Sequence, residues 1–210
     1  KNVLPFRIDY VNTIKLPEHI TDEQVAAIDT ERALLAPERI GQIVAYTLEH
    51  FDQKTKRAEH YTLAGKRVRG FNAIFATASI EAAKRYYLEF KKQQEALTPD
   101  RRLKIGLIYS YAANEAIEDY LDEEGFETGA LDQSSRDFLD DAIGDYNAMF
   151  GTSYDASADT FQNYYKDLSL RLRGREIDLV IVVNMFLTGF DATTLNTLFV
   201  DKNLRMHGLI

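Results

Sequence analysis

The sequence predicts an α/β fold: an open, mainly parallel sheet flanked by helices and carrying an acidic, mostly helical insertion. Three observations lead there. Four runs of strand length are apolar nearly throughout, FNAIFA (71–76), LKIGLIY (103–109), IDLVIVV (177–183) and NTLFV (196–200). Such runs mark strands buried on both faces, as in a parallel sheet covered by helices. The first two are joined by a stretch of helical periodicity, the layout of a right-handed strand–helix–strand crossover. Between the second and third the charge swings: residues 111–168 hold 15 Asp and Glu against 2 Lys and Arg, a net of −13 in a chain of net −8.

Taken in order, Phe6 to Ile14 alternates and is rich in β-branched residues, so it reads as extended. Thr21 to Leu35 reads as a short helix capped by Thr21 or Asp22. Pro37 suits the first turn of the next helix, where its missing N–H costs nothing. In that helix Ile40, Ile43, Val44, Thr47, Leu48 and Phe51 repeat with the period of a buried stripe. Lys54 to Arg69 is basic and reads as a polar helix end followed by a loop. Ser79 is placed to cap a helix running to about Leu97, with Ile80, Ala83, Tyr87 and Phe90 on one face. Thr98-Pro99-Asp100 ends it.

Composition removes several function classes. The 210 residues are 45% hydrophobic and 28% charged, a globular balance rather than a disordered one. No apolar run approaches the roughly 20 residues of a membrane-spanning helix. There is no Cys, which excludes disulfides, thiolate zinc sites and Cys nucleophiles and fits a reducing cytoplasm. The acidic total gives no basic footprint for nucleic acid. Outside residues 111–168, however, the chain carries a net of +5, so a mildly basic body remains available to DNA. The Met-less start and the apolar end, His207-Gly208-Leu209-Ile210, suggest an excised piece of a longer protein.

Searches for chemistry return little. Gly65-Lys66-Arg67 lacks the remainder of a P-loop, and no G-x-G-x-x-G follows a strand. His19, His50, His60 and His207 are scattered, with no i, i+4 pair for a metal. Asp137, Asp140, Asp141 and Asp145 share a helical face, which a solvated acidic surface explains better than a metal site. Asp145-Tyr146-Asn147 begins like a calcium loop but fails at Met149, where an oxygen ligand is needed. Tyr86-Tyr87 and Tyr164-Tyr165 suit base stacking, and suit core packing better.

The segment after the third strand is the informative one. In open α/β sheets ligands bind beyond the carboxyl ends of the strands. There Thr188 offers a hydroxyl and a nearby amide to a phosphate. Gly189 allows a tight turn or close approach. Asp191 offers an acceptor for a ribose hydroxyl or a partner for an Arg. A plain turn with an Asp cap accounts for these residues about as well.

The stretch MFLTGFDATTLNTLFVDKNLRMHGLI (185–210) resembles motif V and its flank in the second RecA-like domain of superfamily 2 helicases. More narrowly, it is similar to the motor (R) subunit of type I restriction enzymes. FNAIFATASIEAAKRYY (71–87) resembles motif IV of the same family, and the two motifs come in family order. The resemblance implies that residues 37–210 form a second RecA-like domain, truncated before motif VI and carrying the acidic insertion at about 111–168. Residues 1–36 would end the first motor domain and link onward. It implies an ATP-dependent translocase that pumps double-stranded DNA as part of a type I site-specific deoxyribonuclease. The nuclease domain lies outside this chain.

By position, Gly189 and Asp191 match motif V residues near the nucleotide and the lobe interface. Thr188 and Thr77 match positions that face the nucleic-acid backbone, and Arg205 lies in the matching flank. Thr77 serves equally well as a helix start, and Arg205 as a surface ion pair. ATP and Mg²⁺ are implied for the intact subunit. For this piece alone, without P-loop or metal-holding acids, neither binding nor ATP turnover is expected. The implied partners are duplex DNA, the first RecA-like domain of the same subunit, and the methyltransferase and specificity subunits, with no membrane. The alternative is a non-catalytic α/β interaction module that docks a basic partner through its acidic segment.

Overall fold

The computed structural model describes residues 7–11, 33–109, 133–183, 185–186 and 190–202. Its elements are α1 (Pro37–Lys54), β1 (His60–Leu63), β2 (Lys66–Arg69), β3 (Asn72–Thr77), α2 (Ile80–Glu95), β4 (Ile105–Tyr109), α3 (Gln133–Phe150), α4 (Ala158–Arg173), β5 (Leu179–Val183) and β6 (Leu195–Asp201). β3 to β6 form one sheet in the order β4-β5-β3-β6, with every neighbouring pair parallel. This is the expected open α/β sheet, and it is consistent with a RecA-like fold.

Register sorts the side chains between two faces. Leu107, Ile181, Phe75 and Phe199 lie in one row. Phe75 meets Tyr86 and Phe90 of α2, with centroids 4.7 and 5.7 Å apart. Gly106, Val180, Ile74 and Leu198 form the row of the opposite face. There α4 approaches so closely that a Cβ on Gly106 would stand 2.7 Å from Leu168 Cδ1, so glycine is what admits the helix. α3 bridges the two helical layers: Tyr87 of α2 donates to its Asp145 at 2.8 Å, and its Tyr146 meets Tyr164 of α4 edge-on at 5.0 Å. The helices of the acidic stretch therefore belong to the packed body. Leu139, Ile143, Tyr146, Phe161, Tyr164 and Leu168 are all buried.

The helices begin and pack as their sequences require. Pro37 opens α1, whose Ile40, Val44, Thr47 and Phe51 are buried. The Ser79 side chain caps α2 by accepting from the Ala82 amide at 3.1 Å. Tyr86, Tyr87 and Tyr164 are buried, so these residues serve the core. Each phenol finds an acceptor, as buried polar groups must. That of Tyr164 donates to the Leu107 carbonyl at 2.7 Å. β4 is an end strand, and Lys104 already turns its carbonyl to β5. By alternation the Leu107 carbonyl faces the open flank, which Tyr164 covers.

Two elements depart from the sequence reading. Residues 60–69, expected as loop, form an antiparallel hairpin. Its Ala64 and Gly65 both take positive φ, 46° and 78°, the two-residue turn whose twist matches its strands. β6, expected to be buried on both faces, alternates between half-buried and exposed residues. It is an end strand, and Leu198 and Val200 on its second face are 46% and 41% exposed. The expected helix over 21–35, apart from its last residues, and the first part of the acidic insertion lie outside the described residues. Residues 7–11 show no regular structure.

Candidate functional site in the connection from β5 to β6

β5 ends at Val183, paired with Tyr109 of β4. Met185 and Phe186 follow and are buried. Phe186 has φ 58°, a left-handed backbone that bulky residues rarely adopt. Its ring is held from two sides. It stacks on Tyr165 of α4 at 5.3 Å and meets Phe190 at 4.6 Å with the planes 70° apart. Strain of this kind persists where the surroundings over-determine it, and it clusters at ligand clamps and switch regions.

Asp191 is exposed. Its backbone carbonyl accepts from Arg173 Nε at 3.1 Å, and the Arg173 guanidinium lies 5.0 Å from the Phe190 ring centroid. The chain then turns: Leu195 N donates to the Ala192 carbonyl at 3.0 Å, and Asn72 N to the Thr194 carbonyl at 2.9 Å. Asn72 opens β3 and Arg173 closes α4, so Asp191 stands at the amino end of the sheet. The sequence reading placed the whole bend at the carboxyl edge. The connection leaves that edge after Val183 but has crossed to the other end by Asp191. β5 and β6 both run parallel to β3, so the chain has to be back at the amino end before Leu195. Thr188, Gly189 and Arg205 lie outside the described residues.

Thr77 ends β3 at the carboxyl edge and is buried. Its hydroxyl is within hydrogen-bonding distance of the Val182 carbonyl at 3.1 Å and the Ser79 carbonyl at 3.3 Å. A hydroxyl carries one proton, and that proton is committed inside the fold. The structure therefore separates Thr77 and Asp191 to opposite ends of the sheet.

Next to Thr77 in register is Asp201, a residue to which the sequence reading gave no role. Its carboxylate takes a two-pronged contact from Arg39 of α1 and accepts from the Tyr86 phenol at 2.6 Å. The Arg39 side chain is only 10% exposed, and that of Asp201 15%. Hydrogen bonding to Asp201 lifts the guanidinium above its ordinary value. Burial, with the bond to Asp201 second, pushes the Tyr86 phenol up. Lys202 follows, its ammonium pulled down by burial. A carboxylate closing an apolar strand was the visible signal, but neither Arg39 nor Tyr86 is near it in sequence.

The acidic run divides its work. Asp137 accepts from Gln133 at 2.6 Å, Asp140 from the Ala156 amide, and Asp145 from Tyr87 and Lys91. Among the described residues no group of three His, Cys, Asp or Glu stands close enough together to hold a metal. Nor is any helix among them long and apolar enough to cross a membrane.

Comparison with known proteins gives the family. Residues 69–210 match the family model of type I restriction enzyme subunit R domain 3. The chain is 36% identical over 215 aligned residues to the endonuclease subunit of the type I restriction enzyme SauCOLORF180P of Staphylococcus aureus strain COL, covering 100% of this chain and 21% of the relative. It is 40% identical over 214 residues to the SsaAORF53P endonuclease subunit of Staphylococcus saprophyticus, with the same coverage. A putative type I restriction enzyme of Mycoplasma pneumoniae, the MpnIIP endonuclease subunit N-terminal part, is 81% identical over 26 residues, 12% of this chain and 7% of the relative. The chain thus spans about a fifth of the length of the staphylococcal relatives. With the family model covering more than half of its residues, the chain belongs to the R-subunit family of type I restriction enzymes.

Proposed function

We propose that this chain is the second RecA-like lobe of the ATP-dependent motor of a type I restriction endonuclease R subunit, a motor that pumps duplex DNA. The observation that carries the reading is the β5–β6 connection. It bears Thr188-Gly189-Phe190-Asp191 in sequence and joins β5 to β6, the two neighbours of β3 in an all-parallel sheet, in a chain of this family. A fold alone does not carry a function; the residues on this connection do.

Phosphoryl transfer depends on positioning and charge neutralisation more than on covalent chemistry. This lobe supplies one wall of such a site. Gly189 and Asp191 would face the nucleotide and the first lobe, and ATP with Mg²⁺ would be clamped between the two lobes. The exposed Asp191 carboxylate, tethered through its own backbone by Arg173, suits a residue that completes a cleft. Thr188 and Arg205 would contact the nucleic-acid backbone. Thr77 joins them only by releasing the Val182 carbonyl, since a phosphate accepts and needs that proton. The methyltransferase and specificity subunits complete the proposed assembly.

The rival reading, an acidic module docking a basic partner, has weaker support. Asp140, Asp145, Asp155 and Asp167 are engaged by groups of the same chain. The test is Asp191→Ala in the intact subunit, followed by triplex displacement and by DNA-stimulated ATPase. Translocation should be lost or uncoupled while thermal unfolding is unchanged. Normal translocation by the variant removes Asp191 from the site. The isolated chain should show no ATPase above a contaminant control.

A further inference from the structure

We propose that the outer face of the β1–β2 hairpin is a phosphate-contacting surface for duplex DNA, separate from the β5–β6 connection. The inference rests on the motor reading and adds a contact to it.

Residues 54–69 carry Lys54, Lys56, Arg57, Lys66, Arg67 and Arg69 against a single acid, Glu59. In a chain of net −8 that concentration is local, and the fold gives it a direction. Cross-strand partners share a face of a ribbon. His60 pairs with Arg69, and Thr62 with Arg67. These four residues are exposed. The other face carries Tyr61, Leu63 and Val68, all half-buried, and at its tip the exposed Lys66, the partner of Leu63; the Tyr61 ring stacks on Phe71 at 4.9 Å. The ribbon is therefore amphipathic, and its outward side presents hydrogen-bond donors and no carboxylate.

The cations of the tip are also unspent. Lys54 pairs with Asp9 and Lys56 with Glu59, while Arg57 leans on Asp52 and Asp178. Arg69 turns its Nε to the Arg57 carbonyl at 2.6 Å and keeps its terminal nitrogens for other partners. Lys66 and Arg67 have no carboxylate within ion-pair distance among the described residues. The base of the ribbon is fixed by bonds from Gly70 N to the Glu59 carbonyl and from Phe71 N to the Thr55 carbonyl, 2.8 and 2.7 Å. A fixed base and free cations at the tip are what a groove- or backbone-contacting ribbon needs.

Phosphate is the matching chemistry. Strands of four residues span about 13 Å, and a two-stranded ribbon fits the major groove of duplex DNA. A motor that passes every sequence has to hold the backbone rather than base edges. The ribbon runs through Gly70 and Phe71 into the amino end of β3.

The experiment uses the intact R subunit carrying Arg67→Gln with Arg69→Gln, both exposed on the outer face, and a fluorescent duplex of random sequence titrated at several salt concentrations. Each phosphate contact contributes about 0.9 to the slope of log affinity against log salt. The double variant should lose about 2 from that slope and bind about tenfold more weakly at low salt, with its thermal unfolding unchanged. Arg67→Lys with Arg69→Lys should restore the slope. An unchanged slope and affinity in the double variant overturns the surface and leaves the motor reading standing. So does loss of assembly with the methyltransferase and specificity subunits at unchanged DNA affinity, which would make the ribbon a protein contact. Self-association of the variant at unchanged DNA affinity would reduce the charges to guards of a strand edge, and also overturns it. Absence of duplex binding by the unaltered subunit overturns both readings.

Discussion

At the amino end of the sheet Asp178, 6% exposed, accepts the Lys104 amide at 2.8 Å and the Arg175 guanidinium at 2.9 Å. Arg175 also donates to the Gly70 and Ile177 carbonyls, 3.0 and 3.1 Å. At the carboxyl end Asp201 accepts from Arg39 and Tyr86, and Arg39 also reaches the Leu34 carbonyl at 3.0 Å. Both ends hold a carboxylate by a guanidinium, but they join different things. The first pair is local, three residues apart, and locks the starts of β4 and β5 to the base of the hairpin. The second joins residues 162 apart and fastens both helices of one face to the last residue of β6. The amino end is a foundation, whereas the carboxyl end is a clasp.

The hardest way to break this comparison is Asp178→Ala. Removing one partner of a buried pair strands the other charge, at a cost of about 3–5 kcal/mol. Urea unfolding of the chain should show a loss of that size, and a loss below about 1 kcal/mol would deny the foundation its role. Next comes Asp201→Asn, which keeps the shape and removes the charge. Hydrogen bonds to charged groups contribute about 1.5–3 kcal/mol, so urea unfolding should show about 2 kcal/mol lost. Tyr86→Phe combined with Asp201→Asn should be less than additive, because the two share one contact.

The smallest effect is a pH dependence. The Tyr86 phenol is raised from its ordinary 10.0, so the folded state keeps a proton that the unfolded state gives up. Its contribution is complete below about pH 10 and is lost as pH climbs beyond that, by at most about 1.4 kcal/mol per unit. Tyr87, Tyr146 and Tyr164 are raised in the same direction, burial being the first cause in each. Absorbance of tyrosinate at 295 nm should therefore rise in two stages, the second coincident with unfolding. Tyr86→Phe should flatten the decline in stability above pH 10 and cost about 1 kcal/mol below it. An unchanged slope would mean that the clasp holds its proton no better than the unfolded chain.

The fold was legible where hydrophobicity alone decides it. β3, β4 and β5 announce themselves because strands buried on both faces need apolar residues at every position. The α1 stripe and the Ser79 cap follow from helical geometry in the same way. The hairpin escaped because its strands are short and charged. Only Tyr61, Leu63 and Val68 carry the alternation, and Ala64-Gly65 is a weak turn signal beside Asn-Gly. β6 was read as an interior strand because nothing in NTLFV says which neighbour is missing. The candidate site was legible as a segment but not as a place. Sequence identifies the loop after a strand, yet only the return path to β6 reveals that Asp191 ends at the far side from Thr77. Asp201 went unseen because its partners come from two distant helices.

The phenol of Tyr164 on the Leu107 carbonyl has a consequence for assembly. A strand grows a sheet by offering its amides to unused carbonyls along an exposed border. On the β4 side one of those acceptors is occupied and overlain by a helix. The β4 border is therefore closed at Leu107 to a strand arriving from that side.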